Sequence, residues 1–175
     1  MSRFDTKIKT EINFPTIKFD DTDTKAQRKK AGAAFVASNL KGMTAVEEDI
    51  GAALDLAIES PTWAWNRDPI WRDGTRPGNP RDIIYKGKLK DSRKLKTKFL
   101  QTKATLTIAY TAPYANFIYH GGAMQPYGNK NAATVLIPGR PWIEAILNGT
   151  HGMEKFDAAG IFFKAWSVEF EKRMA

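Results

Sequence analysis

The run from Ala104 to Tyr110 constrains this chain more than any other. Leu106, Ile108 and Tyr110 alternate with Thr105, Thr107 and Ala109, the period-two pattern of a strand with one buried face. Thr111 then offers a hydroxyl suited to capping, and Pro113 stands where the first turn of a helix tolerates a missing amide. A short helix through Tyr114, Phe117 and Ile118 is expected, stopped by Gly121 and Gly122. After a polar loop over 123–133, Val135 and Ile137 make a second short strand. Pro138, Gly139 and Pro141 force a turn, and Trp142, Ile143 and Ile146 open another helix. The order strand, helix, loop, strand, helix reads as an α+β fold, a small antiparallel sheet packed with N-terminal and C-terminal helices.

The flanks supply those helices. From Thr24 to Leu40 the chain is Ala-rich, with Ala31, Ala34, Phe35 and Ser38 at helical spacing, and Gly42 is expected to end the helix. Thr44-x-x-Glu47 reads as a capping box opening a second helix. That helix carries Val46, Ile50, Ala53, Leu54, Ala57 and Ile58 as one apolar stripe, and Pro61 stops it. Neither Gly42 nor Gly51 sits in a phosphate-loop pattern. After Gly152, Phe156, Ala159, Phe163, Trp166 and Phe170 recur at three- and four-residue steps, with Phe162 beside them, as the aromatic face of a C-terminal helix. Residues 1–23 form an N-terminal arm in which Ile12, Phe14, Ile17 and Phe19 hint at extended structure. Pro15 favours an edge, so this arm either clasps a neighbouring subunit or packs on its own domain. Asp20 to Asp23 are a solvated acidic cluster able to cap the next helix, and their spacing does not match a calcium loop.

Residues 61–85 differ in kind. Three tryptophans, four arginines, four prolines and two glycines exclude a regular helix and leave a long loop inside what is otherwise a single domain over 1–175. Long loops in compact domains are usually functional. Trp63, Trp65 and Trp71 with Arg67, Arg72 and Arg76 are the residue types that dominate protein interfaces. The same set suits stacked bases and phosphates of single-stranded nucleic acid, and the tryptophans also suit the domain's own core. All three readings stay open on the residues alone.

The next segment carries the charge. From Lys86 to Lys103 eight basic residues face one acid, Asp91, a local +7 within a chain of net charge +8. Lys86, Lys88, Lys90, Lys94, Lys96 and Lys98 occupy even positions, while Leu89, Leu95 and Phe99 occupy odd ones. In extended chain this gives a lysine face and an apolar face, with Asp91 and Ser92 as the place for a bend. Lysines on an edge strand guard it against aggregation; the same stripe suits DNA in a channel or an acidic partner.

The remaining chemistry is sparse. There is no cysteine, hence no disulfide framework and no thiolate nucleophile or ligand. No apolar run approaches the roughly 20 residues that cross a bilayer, and MSRFDTKIKTEI lacks a signal peptide's apolar region. The expectation is a protein made in a cytoplasm, or carried in a particle assembled there. Two histidines, His120 and His151, lie outside any metal-binding spacing, and His120 suits the C-terminal end of a short helix. No catalytic serine setting or phosphate loop is present. Arg140, pinned between Gly139 and Pro141, suits a fixed ion pair between subunits. No catalytic residue, metal or cofactor is expected.

The central residues also carry a resemblance. Tyr114-Ala115 followed by His120-x-Gly122, and then Ile137-Pro138-x-Arg140-Pro141-Trp142, resembles the tail-completion (terminator, neck) proteins of tailed bacteriophages. Pro80-Arg81-Asp82-Ile83 followed by Gly87-x-Leu89-x-x-Ser92 is similar to that family's second signature, so that the likeness spans roughly residues 58 to 147. The family usually has an Asp-Thr pair just before the glycine, where this chain has Tyr85-Lys86. The resemblance implies a structural, non-enzymatic virion protein of the tail or neck, assembled in the host cytoplasm. It implies a ring, commonly of six subunits, joining the tail to the head connector. Its partners would be its own copies, the neck and tail-tube proteins and, transiently, DNA in the channel, with no membrane. On that reading Trp63, Trp65, Arg67, Trp71, Arg72, Arg76, Arg140 and Trp142 serve interfaces, and the lysines from 86 to 98 face the lumen. A basic nucleic-acid-binding protein, using that stripe and the Trp/Arg loop, is the alternative. A nuclease built on scattered carboxylates ranks third.

Overall fold

The computed structural model describes residues 6–63, 88–124 and 134–175. In chain order the described elements are β1 (Thr6–Asn13), α1 (Lys25–Glu59), a single 3₁₀ turn (Pro61–Trp63), α2 (Lys88–Asp91), β2 (Arg93–Phe99), β3 (Lys103–Tyr110), α3 (Ala115–His120), β4 (Gly121–Met124), β5 (Val135–Pro138), α4 (Trp142–Asn148) and α5 (Ala158–Met174). This is the mixed α+β class that the alternating patterns indicate. One sheet has three strands in the order β1-β3-β2, the other pairs β4 with β5. The N-terminal segment thus supplies a strand, β1, paired with β3 of its own chain.

Thr24 opens α1. Its amide donates to Gln27 Oε1 at 2.7 Å, and its hydroxyl accepts from the Gln27 amide at 3.2 Å, a reciprocal capping box. From there α1 runs 35 residues without a break, which corrects the expectation of two helices meeting at Gly42. Thr44 is not a cap: its hydroxyl donates back to the Leu40 carbonyl at 3.0 Å, and Glu47 accepts instead from the Thr97 hydroxyl.

The elements pack as two compact units. One holds the described residues within Lys9–Ala52, Leu95–Thr107 and Asp157–Ala175. Its core takes Ala31, Ala34, Met43, Val46 and Ile50 from α1, Ile12 from β1, Ala104 and Leu106 from β3, and Phe162 from α5. The Phe14 ring lies 5.8–6.4 Å from those of Phe35, Phe99 and Phe162. Its buried polar side chains are satisfied: Ser38 donates to the Ala34 carbonyl at 2.8 Å, and Asn39 Oδ1 accepts from Trp166 Nε1 at 2.8 Å. The aromatic face of α5 departs from expectation at one position: Phe162, expected beside the stripe, is fully buried, and Phe163 is 43% exposed, while Trp166 packs on Phe35 and Phe170 stacks on Trp166.

The other unit holds the described residues within Met1–Ile8, Ala53–Lys94 and Ile108–Phe156. Leu54, Ala57 and Ile58 of α1, Leu89 of α2, Ile108 and Tyr110 of β3, and Trp142, Ile143 and Ile146 of α4 form its core. Asp55 and Glu59 of α1 pair with Arg93 and Lys90, which ties the α2–β2 turn to the helix. Thr111, expected to cap α3, instead donates both its amide (3.0 Å) and its hydroxyl (3.1 Å) to the Ser92 carbonyl. The Gly121-Gly122 pair ends α3 as expected but also begins β4, whose register sets Gly121 opposite Pro138 and Met124 opposite Val135.

Candidate functional site

The two halves of the central sequence pattern meet in the second of these units. β3 delivers Tyr110 to the buried face by its alternation, α3 delivers Tyr119, and α4 opens with Trp142. The Trp142 ring stands edge-on to Tyr119 at 4.9 Å and to Tyr110 at 5.3 Å between centroids, the geometry that aromatic quadrupoles favour. Between them the chain crosses itself. The Arg140 amide donates to the Ile118 and Tyr119 carbonyls at 3.1 and 2.9 Å, so the helix end and the turn before α4 share hydrogen bonds. Gly121 has φ +73°, and a β-carbon there would stand 2.4 Å from the Gly139 amide nitrogen. Only glycine permits both the backbone conformation and the approach.

The polar groups of this cluster are costly to enclose. Tyr110 is 2% exposed and Trp142 fully buried, yet neither the Tyr110 hydroxyl nor Trp142 Nε1 has a hydrogen-bond partner among the described residues. Burial pushes the Tyr110 phenol up to about 12, against the opposing influence of the nearby Trp142 indole and the Arg93 guanidinium. Burial likewise raises Tyr119, whose hydroxyl accepts from the Glu144 amide at 3.3 Å. Both phenols therefore stay protonated through the physiological range and do not serve as bases there.

Three of the residues expected at an interface are inside this unit. Trp142 is fully buried, Arg140 is 4% exposed and Trp63 is 6% exposed. The Trp63 indole donates to the Ala57 carbonyl at 2.6 Å and lies 5.1 Å from the His151 ring, while the Thr62 hydroxyl donates to the His151 carbonyl. In the single chain these are packing positions, and for Trp63 alone of the three loop tryptophans this is the core alternative. Trp65, Arg67, Trp71, Arg72, Arg76 and Lys86 lie outside the described residues.

The lysine stripe bends at the expected place. Lys88 and Lys90 lie on the helical turn α2, and Lys90 is held by Glu59 at 2.5 Å, which raises its pKa. Lys94, Lys96 and Lys98 remain exposed along one face of β2, an edge strand of its sheet. Residues on the neighbouring strands share that outward orientation within the unit of α5: Lys9, Glu11 and Asn13 on β1, and Lys103, Thr105 and Thr107 on β3. Lys103 reaches Glu11 at 2.8 Å, and this contact holds the Glu11 carboxyl below its usual range. The β1 members were legible as the alternation Lys7-Ile8-Lys9-Thr10-Glu11-Ile12.

Among the described residues no group of three His, Cys, Asp or Glu side chains is placed to hold a metal ion, and no helix is long and apolar enough to cross a membrane. No protein-family model, curated protein or solved structure matches the chain.

Proposed function

We propose that this chain is a structural, non-catalytic subunit of a tailed-bacteriophage virion, a tail-completion or neck protein whose copies form a ring between the tail and the head connector. The observation that supports it most is the meeting of the two signature halves. Tyr119 and Trp142 pack edge to face, the Arg140 amide closes on the end of α3, and Gly121, opposite Pro138 in the β4–β5 register, lies close against the Gly139 amide nitrogen. Residues separated by a loop in sequence thus act as one rigid element, a sound platform on which to build subunit contacts. The ring, its six-fold number, its neck and tail-tube partners and its place in the virion come from the sequence resemblance.

The reading is tested by measuring the mass of the purified chain in solution, alone and with phage tails or capsids. A ring gives a multiple of the 19.6 kDa chain mass. A monomer that also fails to join tails or capsids overturns it.

A further inference from the structure

In the unit formed by Lys9–Ala52, Leu95–Thr107 and Asp157–Ala175, the sheet has one face on α1 and one face outward. Alternation sorts the side chains: Ile12, Ala104 and Leu106 are buried, and Thr97 reaches Glu47 of α1. The opposite set is Lys9, Glu11, Asn13, Lys96, Lys98, Lys103, Thr105 and Thr107. Four cations and three uncharged polar groups thus surround one carboxylate, and that carboxylate is held by Lys103. Lys9, Lys96 and Lys98 form no ion pair among the described residues.

The residue types choose the partner. Lysines two apart on a strand stand about 6.8 Å from each other, a spacing suited to successive charges on a polyanion. The face has hydroxyls to donate to phosphate oxygens but no aromatic side chain, so single-stranded bases find no stacking platform. It carries no arginine, the residue that most often reads base edges, and lysine binds phosphate as a point charge. We propose that this outward sheet face is a sequence-independent docking surface for the phosphate backbone of duplex nucleic acid, and that Glu11 limits its affinity by holding Lys103. The inference does not rest on the ring assignment, because the isolated chain presents the face.

The test is fluorescence anisotropy of a labelled random-sequence DNA duplex against the full chain between about 50 and about 200 mM salt. With three lysines engaged, the log–log slope is about −2.7, a loss of about 40-fold in affinity across that range. Glu11→Gln releases Lys103, so it binds more tightly at low salt and the slope steepens to about −3.6, a loss of about 150-fold. Lys96→Gln with Lys98→Gln flattens the slope to about −0.9. Thr105→Glu places a charge mid-face and weakens binding at every salt concentration. Thermal unfolding of each variant confirms that the fold is retained. The proposal is overturned if Glu11→Gln leaves affinity and slope unchanged, or if the double lysine variant keeps the full slope. It is also overturned if single-stranded DNA binds more tightly than duplex, or if phosphatidylserine vesicles compete as well as duplex at equal charge.

Discussion

Gly42 of α1 lies directly against the ring of Phe162 on α5: a β-carbon at position 42 would stand 2.6 Å from Phe162 Cδ2 and 3.1 Å from its carbonyl oxygen. The glycine is therefore a packing surface inside a continuous helix, where an unbranched α-carbon lets α5 approach.

Two glycines on that one helix separate backbone propensity from packing. A β-carbon at Gly32 would meet nothing within 4 Å among the described residues, so Gly32→Ala should stabilise the protein by about 0.5–1 kcal/mol. Gly42→Ala brings the same propensity gain but must displace a fully buried ring stacked on Phe14. Overpacking of that kind costs about 1–3 kcal/mol, so the net change should be a loss. Urea denaturation of both variants reads the difference; equal gains would show that Phe162 yields freely.

Trp63 sets the core role against the interface role. Trp63→Ala should lower the stability of the isolated chain by about 3–5 kcal/mol, as truncation of a buried aromatic does. Trp63→Phe keeps most of the ring but removes the indole donor from the Ala57 carbonyl, which still accepts from the Ser60 amide at 3.3 Å, a loss of about 0.5–1.5 kcal/mol. If Trp63→Ala instead leaves the unfolding midpoint of the monomeric chain unchanged and only lowers assembly, the packing role of this tryptophan is wrong.

What the sequence disclosed, and what it concealed, follows from the range of the forces involved. β3, α3, β5 and α4 were readable because alternation, proline placement and glycine stops act over a few residues. The unity of α1 was hidden because Gly42 answers to Phe162, 120 positions away, and because Glu47, which imitates a cap partner, is taken by Thr97. A true capping box at Thr24 and Gln27 was in view but lay beside the more conspicuous aspartates. The even-numbered lysines spelled a strand across 88–91, where the chain makes a helical turn and Leu89 is buried. Of the candidate site, Trp142 and Arg140 were recognised as important positions. Their burial depended on α3 and on the turn before α4 closing over them, which no local pattern reports.

The buried phenols predict an alkaline limit to stability. Tyr110 titrates at about 12 in the folded chain against an ordinary value of 10.0, so the folded state holds this proton more tightly than the unfolded state. Its contribution is complete below about pH 10, the unfolded value, and is lost as pH rises towards 12. The loss is about 1.4 kcal/mol per pH unit over that window, and Tyr119, raised in the same sense, adds to it. Tyr110→Phe removes a buried hydroxyl that has no hydrogen-bond partner among the described residues, so it should be near neutral at pH 7 and should flatten the alkaline decline. Urea midpoints against pH, for the natural chain and the variant, check both statements; parallel declines would refute the assignment to Tyr110.

Gly121 and Gly152 form a second matched pair, and they address the element on which the functional proposal leans. Both have φ +73°, so an alanine at either position is strained, and Gly121, with ψ −175°, lies in a region essentially confined to glycine, where the strain is about 1–3 kcal/mol. They differ in what surrounds them. Among the described residues nothing lies within 4 Å of a β-carbon at Gly152, whereas a β-carbon at Gly121 would stand 2.4 Å from the Gly139 nitrogen and 2.5 Å from the Ile137 carbonyl oxygen. These are backbone atoms of the paired strand and the turn that follows it, so relief requires β4 and β5 to part. Gly152→Ala should therefore cost about 1–2 kcal/mol, and Gly121→Ala at least about 3 kcal/mol once the clash is added to the strain. Because Gly121 stands between the His120 and Gly122 positions of the proposed signature, its variant should also lose assembly, in proportion to the chain that unfolds. An assembly defect in Gly121→Ala with the unfolding midpoint unchanged would assign this glycine a direct contact with a partner in place of its role in the chain crossing.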